Sequence, residues 1–159
     1  MRFVGYRNTK LVEQLARDGR LLSTWGSAKT FDPMQYTLLM KMASSSYDWP
    51  LDKQAEKDGR QPRVYQYGWL AMAQDLGMTL PDTPADIEVI GNEPRVPRKE
   101  TTAIQRLSQT AKKLEASGLI KCLRKGSPQK RNNAIWLLTI GTPDENAEVE
   151  AYVRRHMRL

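Results

Sequence analysis

The chain has 159 residues, of which 40% are hydrophobic and 27% are charged, and its formal net charge is +7. This length suits one compact domain over residues 1–159, and the apolar share is enough to bury a single core. No apolar run reaches the roughly 18 residues needed to cross a bilayer, and the N-terminus lacks the apolar stretch of a signal peptide. We therefore expect a cytoplasmic protein that does not enter a membrane.

The chain contains one cysteine, Cys122, and one histidine, His156. These numbers exclude an internal disulfide and a His/Cys zinc cluster. Cys122 alternates with apolar residues, which is typical of a strand, and His156 lies among arginines at a predicted helix end. The sequence also lacks a glycine-rich phosphate loop and a nucleophile–base–acid set. We expect no metal, no cofactor and no enzymatic activity.

The positive charge is concentrated in one segment. Between Arg95 and Arg131 there are eleven basic residues and two acidic ones, so this segment carries +9 and the rest of the chain −2. A merely basic surface would spread its charge more evenly. A basic module on a mildly acidic body indicates a polyanionic partner such as nucleic acid.

The first half of the chain is predicted to be mainly helical. The predicted elements are a helix over 8–17, a helix over 34–43, a strand over 63–67 and a helix over 69–76. Asn8 is the candidate N-cap of the first helix, and Asp32-Pro33 combines an N-cap with proline at the first helical position. The stretch between these two helices is rich in turn residues. Residues 52–60 are predicted to form an exposed loop.

The second half contains the clearest helix, over 101–117. Its apolar residues Ile104, Leu107, Ala111 and Leu114 recur at helical spacing and form one stripe. Residues 80–97, with four prolines, are predicted to be a long irregular connection. After a C-cap at Gly118, strands over 119–123 and 134–140 with a basic tip over 124–133 predict a β-hairpin, and the capping box that starts at Thr142 predicts a last helix to about residue 157.

Two stretches in this order of elements resemble the winged helix-turn-helix superfamily. Residues 72–77, Met-Ala-Gln-Asp-Leu-Gly, are similar to that family's second helix, and residues 113–120, Lys-Leu-Glu-Ala-Ser-Gly-Leu-Ile, are similar to the end of its recognition helix. The resemblance covers about 32–141, with an N-terminal extension over 1–31 and a C-terminal helix over 142–159. It implies an α+β fold, mostly α, with a small antiparallel sheet made of the wing hairpin and a short strand, and extra helices at both ends.

The resemblance implies that the third helix lies in the major groove of double-stranded DNA and that the wing follows the backbone. Gln105, Arg106 and Gln109 are the candidates for base edges, since these side chains can bond bidentately to adenine or guanine. The candidates for phosphate contacts are Lys112, Lys113, Arg124, Lys125, Lys130 and Arg131. Thr102, Arg98 and Lys99 are also assigned to the interface, and Thr101 is a further outward position of the helix.

The chain departs from the family between Gly77 and Thr101, because this connection is far longer than a turn of three or four residues. Three roles for the insertion over 78–100 stay open. It contacts DNA through Arg95, Arg98 and Lys99, it shields the recognition helix, or it binds a partner around residues 87–90.

The leading hypothesis is a DNA-binding protein that acts as a transcriptional regulator or as an accessory to replication of a plasmid or phage. Residues 38–44 are similar to the first helix of winged-helix domains in such replication proteins. The alternative is a winged helix that mediates protein–protein contacts, against which the charge asymmetry argues. RNA binding is a third reading, but the aromatic residues fall at core-like or strand positions rather than in a stacking platform.

Such proteins commonly bind DNA as two-fold homodimers. Val149, Tyr152, Val153 and Met157 lie along one side of the C-terminal helix, which either pairs across a dimer or packs on its own domain. The N-terminal helix around Leu11 and Leu15 presents the same two alternatives.

Overall fold

The computed structural model describes residues 4–81, 88–90, 93–95, 97–127 and 129–159. Within these ranges the protein is α+β, with six helices and seven short strands. The helices are α1 (Tyr6–Arg17), α2 (Pro33–Ser44), α3 (Lys53–Lys57), α4 (Gly68–Asp75), α5 (Pro97–Ala116) and α6 (Pro143–Met157). The strands are β1 (Leu22–Trp25), β2 (Ala28–Phe31), β3 (Val64–Tyr65), β4 (Glu88–Ile90), β5 (Glu93–Arg95), β6 (Ile120–Arg124) and β7 (Ile135–Leu138).

The largest sheet of the described residues is antiparallel and has the spatial order β3, β7, β6. Leu137 on the central strand pairs with Val64 of β3, and Leu138 pairs with Ile120 of β6. The predicted hairpin and the predicted short strand are therefore confirmed. β3 is shorter than the predicted range 63–67, because Arg63 has a φ of 52° and so leaves the extended region.

The main hydrophobic core lies between α1, α2, α4, α5 and one face of this sheet. Its fully buried members include Val12, Leu38, Leu39, Met42, Met72, Leu107, Leu114 and Leu138. α2 begins as predicted, because the Asp32 carboxylate accepts hydrogen bonds from the amides of Met34 and Gln35, at 3.0 and 3.3 Å. Helix α2, apolar on most of its circumference, occupies the middle of this core.

The C-terminal helix α6 packs on its own domain. A second apolar cluster joins Val64, Ile135, Leu137, Val149 and Val153. Because successive strand residues point to opposite faces, Ile135 and Leu137 face α6 while Leu138 faces the main core. The apolar side of α6 is therefore covered within the chain, which is the second of the two alternatives that the sequence left open.

Helix α1 packs on α2 through Leu11, Val12 and Leu15, so its apolar side is also used within the chain. The prediction that Asn8 is its N-cap is wrong, because the helix starts two residues earlier and Gly5 occupies the cap position. Asn8 is instead fully buried, and its Nδ2 donates to the carbonyl oxygens of Ser46 and Tyr47, at 3.2 and 3.0 Å. It thereby satisfies acceptors that follow the C-terminus of α2.

A buried polar contact ties α1, β3 and α6 together. The Arg63 side chain is 1% exposed, its Nε donates to Asn8 Oδ1 at 3.2 Å, and its Nη2 pairs with Glu145. Thr142 caps α6 as predicted, with its Oγ1 accepting from the Glu145 amide at 3.2 Å. The Glu145 carboxylate departs from the predicted capping box, because it pairs with Arg63, which is distant in the sequence.

Three segments predicted to be irregular contain regular structure. The turn-rich stretch before α2 forms the hairpin β1–β2, the predicted loop over 52–60 contains α3, and the predicted connection over 80–97 contains the hairpin β4–β5. Helix α5 also begins at Pro97 rather than at residue 101. Residues 82–87 of the connection, together with 91, 92 and 96, lie outside the described residues.

Candidate nucleic-acid interface

Helix α5 separates an apolar side from a polar side, as its sequence period predicts. Leu107, Ala111 and Leu114 are buried, whereas Ile104 is half-buried. The opposite side is solvent-exposed and carries amide and cationic groups. Its exposed residues are Arg98, Thr101, Thr102, Gln105, Arg106, Gln109, Lys112 and Lys113, while Lys99 is half-buried. One face of this helix of 20 residues therefore displays most of the predicted contact residues.

Gly118 joins this helix to the hairpin β6–β7. Its φ is 77°, its amide donates to the carbonyl of Glu115 at 3.0 Å, and the amide of Leu119 donates to that of Leu114 at 3.0 Å. This is the left-handed C-terminal cap that the sequence predicts. Because the bonds fix the exit of the chain from α5, the hairpin leaves the helix in a defined direction.

The tip of the hairpin β6–β7 is ordered by bonds between Ser127 and Asn132. Their backbone amides and carbonyls bond reciprocally at 3.1 and 3.2 Å, and the Ser127 amide also donates to Asn132 Oδ1 at 2.9 Å. Asn133 Nδ2 donates to the Gln66 carbonyl at 3.3 Å and so ties the tip to the segment before α4. The predicted tip cations Arg124, Lys125, Lys130 and Arg131 are all exposed.

Lys121 and Lys113 of the basic segment lie close to acidic side chains. Lys121 Nζ lies 2.7 Å from Glu150 Oε1 on α6, and this contact lowers the pKa of the Glu150 carboxyl, with a further contribution from Arg154. Lys113 Nζ lies 4.0 Å from Asp32 Oδ2. Lys121 was not among the predicted contact residues, and its pairing with α6 places it on the face of the sheet away from the main core. Lys113 is 59% exposed and keeps most of its surface toward solvent.

The hairpin β1–β2, which we call the N-terminal hairpin, flanks α5. Arg20 Nη2 donates to the Ser117 carbonyl at 3.2 Å, and Gln35 Nε2 donates to the Leu22 carbonyl at 3.2 Å. These bonds hold the base of the hairpin beside the end of α5. A groove of about 480 Å³ lies between the two elements. It is lined by Ser23, Thr24, Trp25, Asp32, Met34, Arg106, Gln109, Thr110 and Lys113.

This groove brings together three of the predicted residues, Arg106, Gln109 and Lys113, and adds hairpin residues that were not predicted from the sequence. A signal for the hairpin was present. Two runs with strand-forming residues, 22–25 and 28–31, are separated by Gly26-Ser27, and a glycine followed by serine is a common two-residue hairpin turn. Gly26 has the positive φ, 64°, that such turns require.

A second concavity, of about 520 Å³, lies between the tip of β6–β7 and the start of α4. Its walls include Trp69, Trp136 and Arg131, and the two indole rings are 5.7 Å apart. Arg131 is therefore placed apart from the α5 groove. The sequence predicts that Trp49, Trp69, Tyr65 and Tyr67 lie at core-like or strand positions. This holds for Tyr65, which is buried in β3, and for Trp49 and Trp69, which pack on the core clusters. It fails for Tyr67, which lies beyond β3 and is 57% exposed.

Cys122 and His156 take the positions that the sequence predicts. Cys122 is half-buried in β6 opposite Trp136, and burial raises the pKa of its thiol. His156 is exposed on the last turn of α6, with Nδ1 2.8 Å from the Tyr152 carbonyl. In the described part of the chain, no group of three or more His, Cys, Asp or Glu side chains is arranged to hold a metal ion.

No family model, no curated protein and no solved structure matches this chain. None of the described helices combines the length and the apolar character that a bilayer-spanning helix needs. What the site can do therefore follows from its own chemistry: an exposed helix face with amides and cations, an adjoining basic hairpin tip, and a groove that combines an indole with two cations.

Proposed function

We propose that this protein is a winged-helix protein that binds double-stranded DNA, with α5 as the recognition helix and β6–β7 as the wing. The elements follow the order α2, β3, α4, α5, β6, β7, and the sheet order β3, β7, β6 places the first short strand beside the last. This arrangement supports the resemblance found in residues 72–77 and 113–120. The biological role we propose is transcriptional regulation or replication of a mobile element.

The observation that carries the proposal is the polar face of α5. An α-helix fits the major groove of B-DNA, which is about 12 Å wide. Gln105, Arg106 and Gln109 are exposed on this face and suit the edges of adenine and guanine. Because the segment from Arg95 to Arg131 carries a net charge of +9, α5 and the wing would also attract the phosphates on both sides of the groove.

The phosphate contacts are assigned to Lys112 and Lys113 on the helix and to four residues of the wing. The wing residues are Arg124, Lys125, Lys130 and Arg131, all exposed. These contacts supply affinity and register, whereas base contacts supply sequence preference. Arg98 and Thr102 belong to the same exposed side near the start of α5 and extend the surface toward one end of the helix.

The first test is fluorescence anisotropy on a random-sequence duplex across a salt series. The test variant is Arg106→Ala/Lys112→Ala/Lys113→Ala. The control is Lys10→Ala/Lys53→Ala/Lys57→Ala, which removes the same charge from exposed positions on α1 and α3. We expect steep salt dependence for the wild type and the control variant. The test variant should bind more weakly and with a shallower slope, by about one unit for each phosphate that it no longer neutralises.

Equal losses of affinity in the two variants would mean that net charge alone drives binding, and would contradict the assignment of α5. If the wild type binds no duplex at low salt, the proposal fails. The basic face would then belong to a protein-binding module, the alternative function that the fold also allows.

A further inference from the structure

Trp25 lies at the end of β1, next to the turn of the N-terminal hairpin, and is 82% exposed. An exposed indole is unfavourable in water, because hydrated apolar surface costs about 25 cal/mol per Å² relative to buried surface. The base of the hairpin is firmly held, with Leu21 fully buried and the Asp32 amide donating to its carbonyl at 2.9 Å. The ring is therefore presented to solvent on a supported element.

The groove beside Trp25 has the chemistry of a nucleotide site. Arg106 and Lys113 offer positive charge, and Gln109 offers both a donor and an acceptor. Asp32 also lines the groove, but its carboxylate is occupied by the start of α2 and lies 4.0 Å from Lys113. The volume of about 480 Å³ lies within the range of small-ligand sites.

We propose that this groove binds an unpaired nucleotide next to the duplex, with its base stacked on Trp25 and its phosphate at Lys113. The inference rests on the proposed function, since it uses the same helix. An aromatic ring stacks on the face of a base, and stacking together with a cationic groove is how proteins hold single strands. Inside a duplex, both faces of each base are covered by neighbouring pairs. The indole therefore selects DNA that is open at a junction, gap or end.

The test compares three DNA probes by anisotropy at one salt concentration. They are a blunt duplex, the same duplex with a single-stranded extension of ten thymidines, and the ten-thymidine strand alone. Each probe is titrated with the wild type, Trp25→Ala, Trp25→Phe and the control Tyr6→Ala, which removes another exposed aromatic ring, on α1. Circular dichroism checks that each variant is folded.

We expect the wild type and Tyr6→Ala to bind the extended duplex about tenfold more tightly than the blunt duplex, which is within the range for stacking one base on an aromatic side chain. Trp25→Ala should lose this preference and bind the blunt duplex as the wild type does. Trp25→Phe should keep part of it, since phenylalanine retains a ring face.

Two results would overturn the inference. Equal binding of the two duplexes by the wild type would leave duplex recognition standing without an unpaired-base site. An equal loss of affinity for both duplexes in Trp25→Ala would mean that the indole contacts paired DNA. If the protein binds the single strand through Trp25 but no duplex, the proposed function fails and the stacking site remains.

Discussion

The guanidinium group of Arg63 is almost completely buried, although arginine is rarely found in protein interiors without partners. Its partners come from opposite ends of the chain: Asn8 on α1 and Glu145 on α6. The amide of Arg63 also donates to the Tyr47 carbonyl at 2.8 Å, and its carbonyl accepts from Leu138 at 2.8 Å. A single residue thus connects both terminal helices to the central sheet, by contacts that no local sequence pattern reveals.

Substitution of Arg63 by methionine should destabilise the protein by about 3 kcal/mol. The aliphatic volume is retained, but the Asn8 Oδ1 acceptor loses its donor inside the protein and Glu145 loses its partner. Urea denaturation followed by tryptophan fluorescence measures the change. A double-mutant cycle with Glu145→Gln should give a coupling of about 1 kcal/mol or more. A destabilisation below about 0.5 kcal/mol, typical of surface changes, would contradict this role.

At the level of elements, the helices that carry a repeating apolar stripe or a capping signal are predicted from the sequence. The stripe of Leu107, Ala111 and Leu114 repeats over several turns, so α5 is clear, and the capping signals at Asp32 and Thr142 mark two helix starts correctly. Helix α3 is too short for a period to be visible, and only Ala55 is buried in it. The N-terminal hairpin was not predicted because both of its strands are largely exposed and lack an apolar side.

The candidate site was predictable to a similar degree. The exposed residues of α5 follow from its apolar stripe, because the outward positions are those that the stripe leaves over. The position of Trp25 beside α5 does not follow from the sequence pattern, since tertiary packing brings these two distant segments together. The ion pair between Lys121 and Glu150 depends on the docking of α6 and was equally invisible to local patterns.

Alanine variants of two glycines form a matched pair. One variant introduces backbone strain alone, and the other introduces the same strain together with a steric contact. Gly118 has a φ of 77° and open space where a Cβ would lie, so Gly118→Ala should cost about 1 kcal/mol from the left-handed backbone alone. Gly5 has a φ of 78°, and its Cβ would lie against the carbonyl oxygen of Ala43. Gly5→Ala should therefore cost clearly more, about 3 kcal/mol, since α1 must also shift from α2.

Thermal or urea unfolding of the two glycine variants checks this difference. Equal losses of stability would show that α1 moves on α2 without penalty. That result would contradict the close packing of these helices, whereas the cap at Gly118 would be unaffected.

At the scale of the whole molecule, the two terminal helices pack on the core clusters that also contain α5 and the strands β6 and β7. The apolar sides of α1 and α6 are covered within the chain, so a homodimer would have to use another surface. Gly118 joins α5 to the wing, so the exposed cationic residues of the two elements follow one another along the chain. The positive charge is therefore concentrated in the segment from Arg95 to Arg131, which contains most of α5 and the first part of the hairpin β6–β7, while the remainder of the chain carries −2.

We expect the wing to contribute mainly affinity and α5 to contribute sequence preference. Lys125→Ala/Lys130→Ala removes two exposed wing cations, and we expect weaker binding to every duplex, with the slope of log K against log salt reduced by about two. Gln105→Ala changes no charge, so the slope should stay constant. Its effect should appear as relaxed preference at one base pair, by about 1–3 kcal/mol, among sequences selected from a random pool with the wild-type protein. Relaxed sequence preference in the wing variant, with none in Gln105→Ala, would mean that the wing, rather than α5, reads the bases. A changed slope in Gln105→Ala would mean that this side chain acts on phosphate contacts, and would contradict its assignment to a base edge.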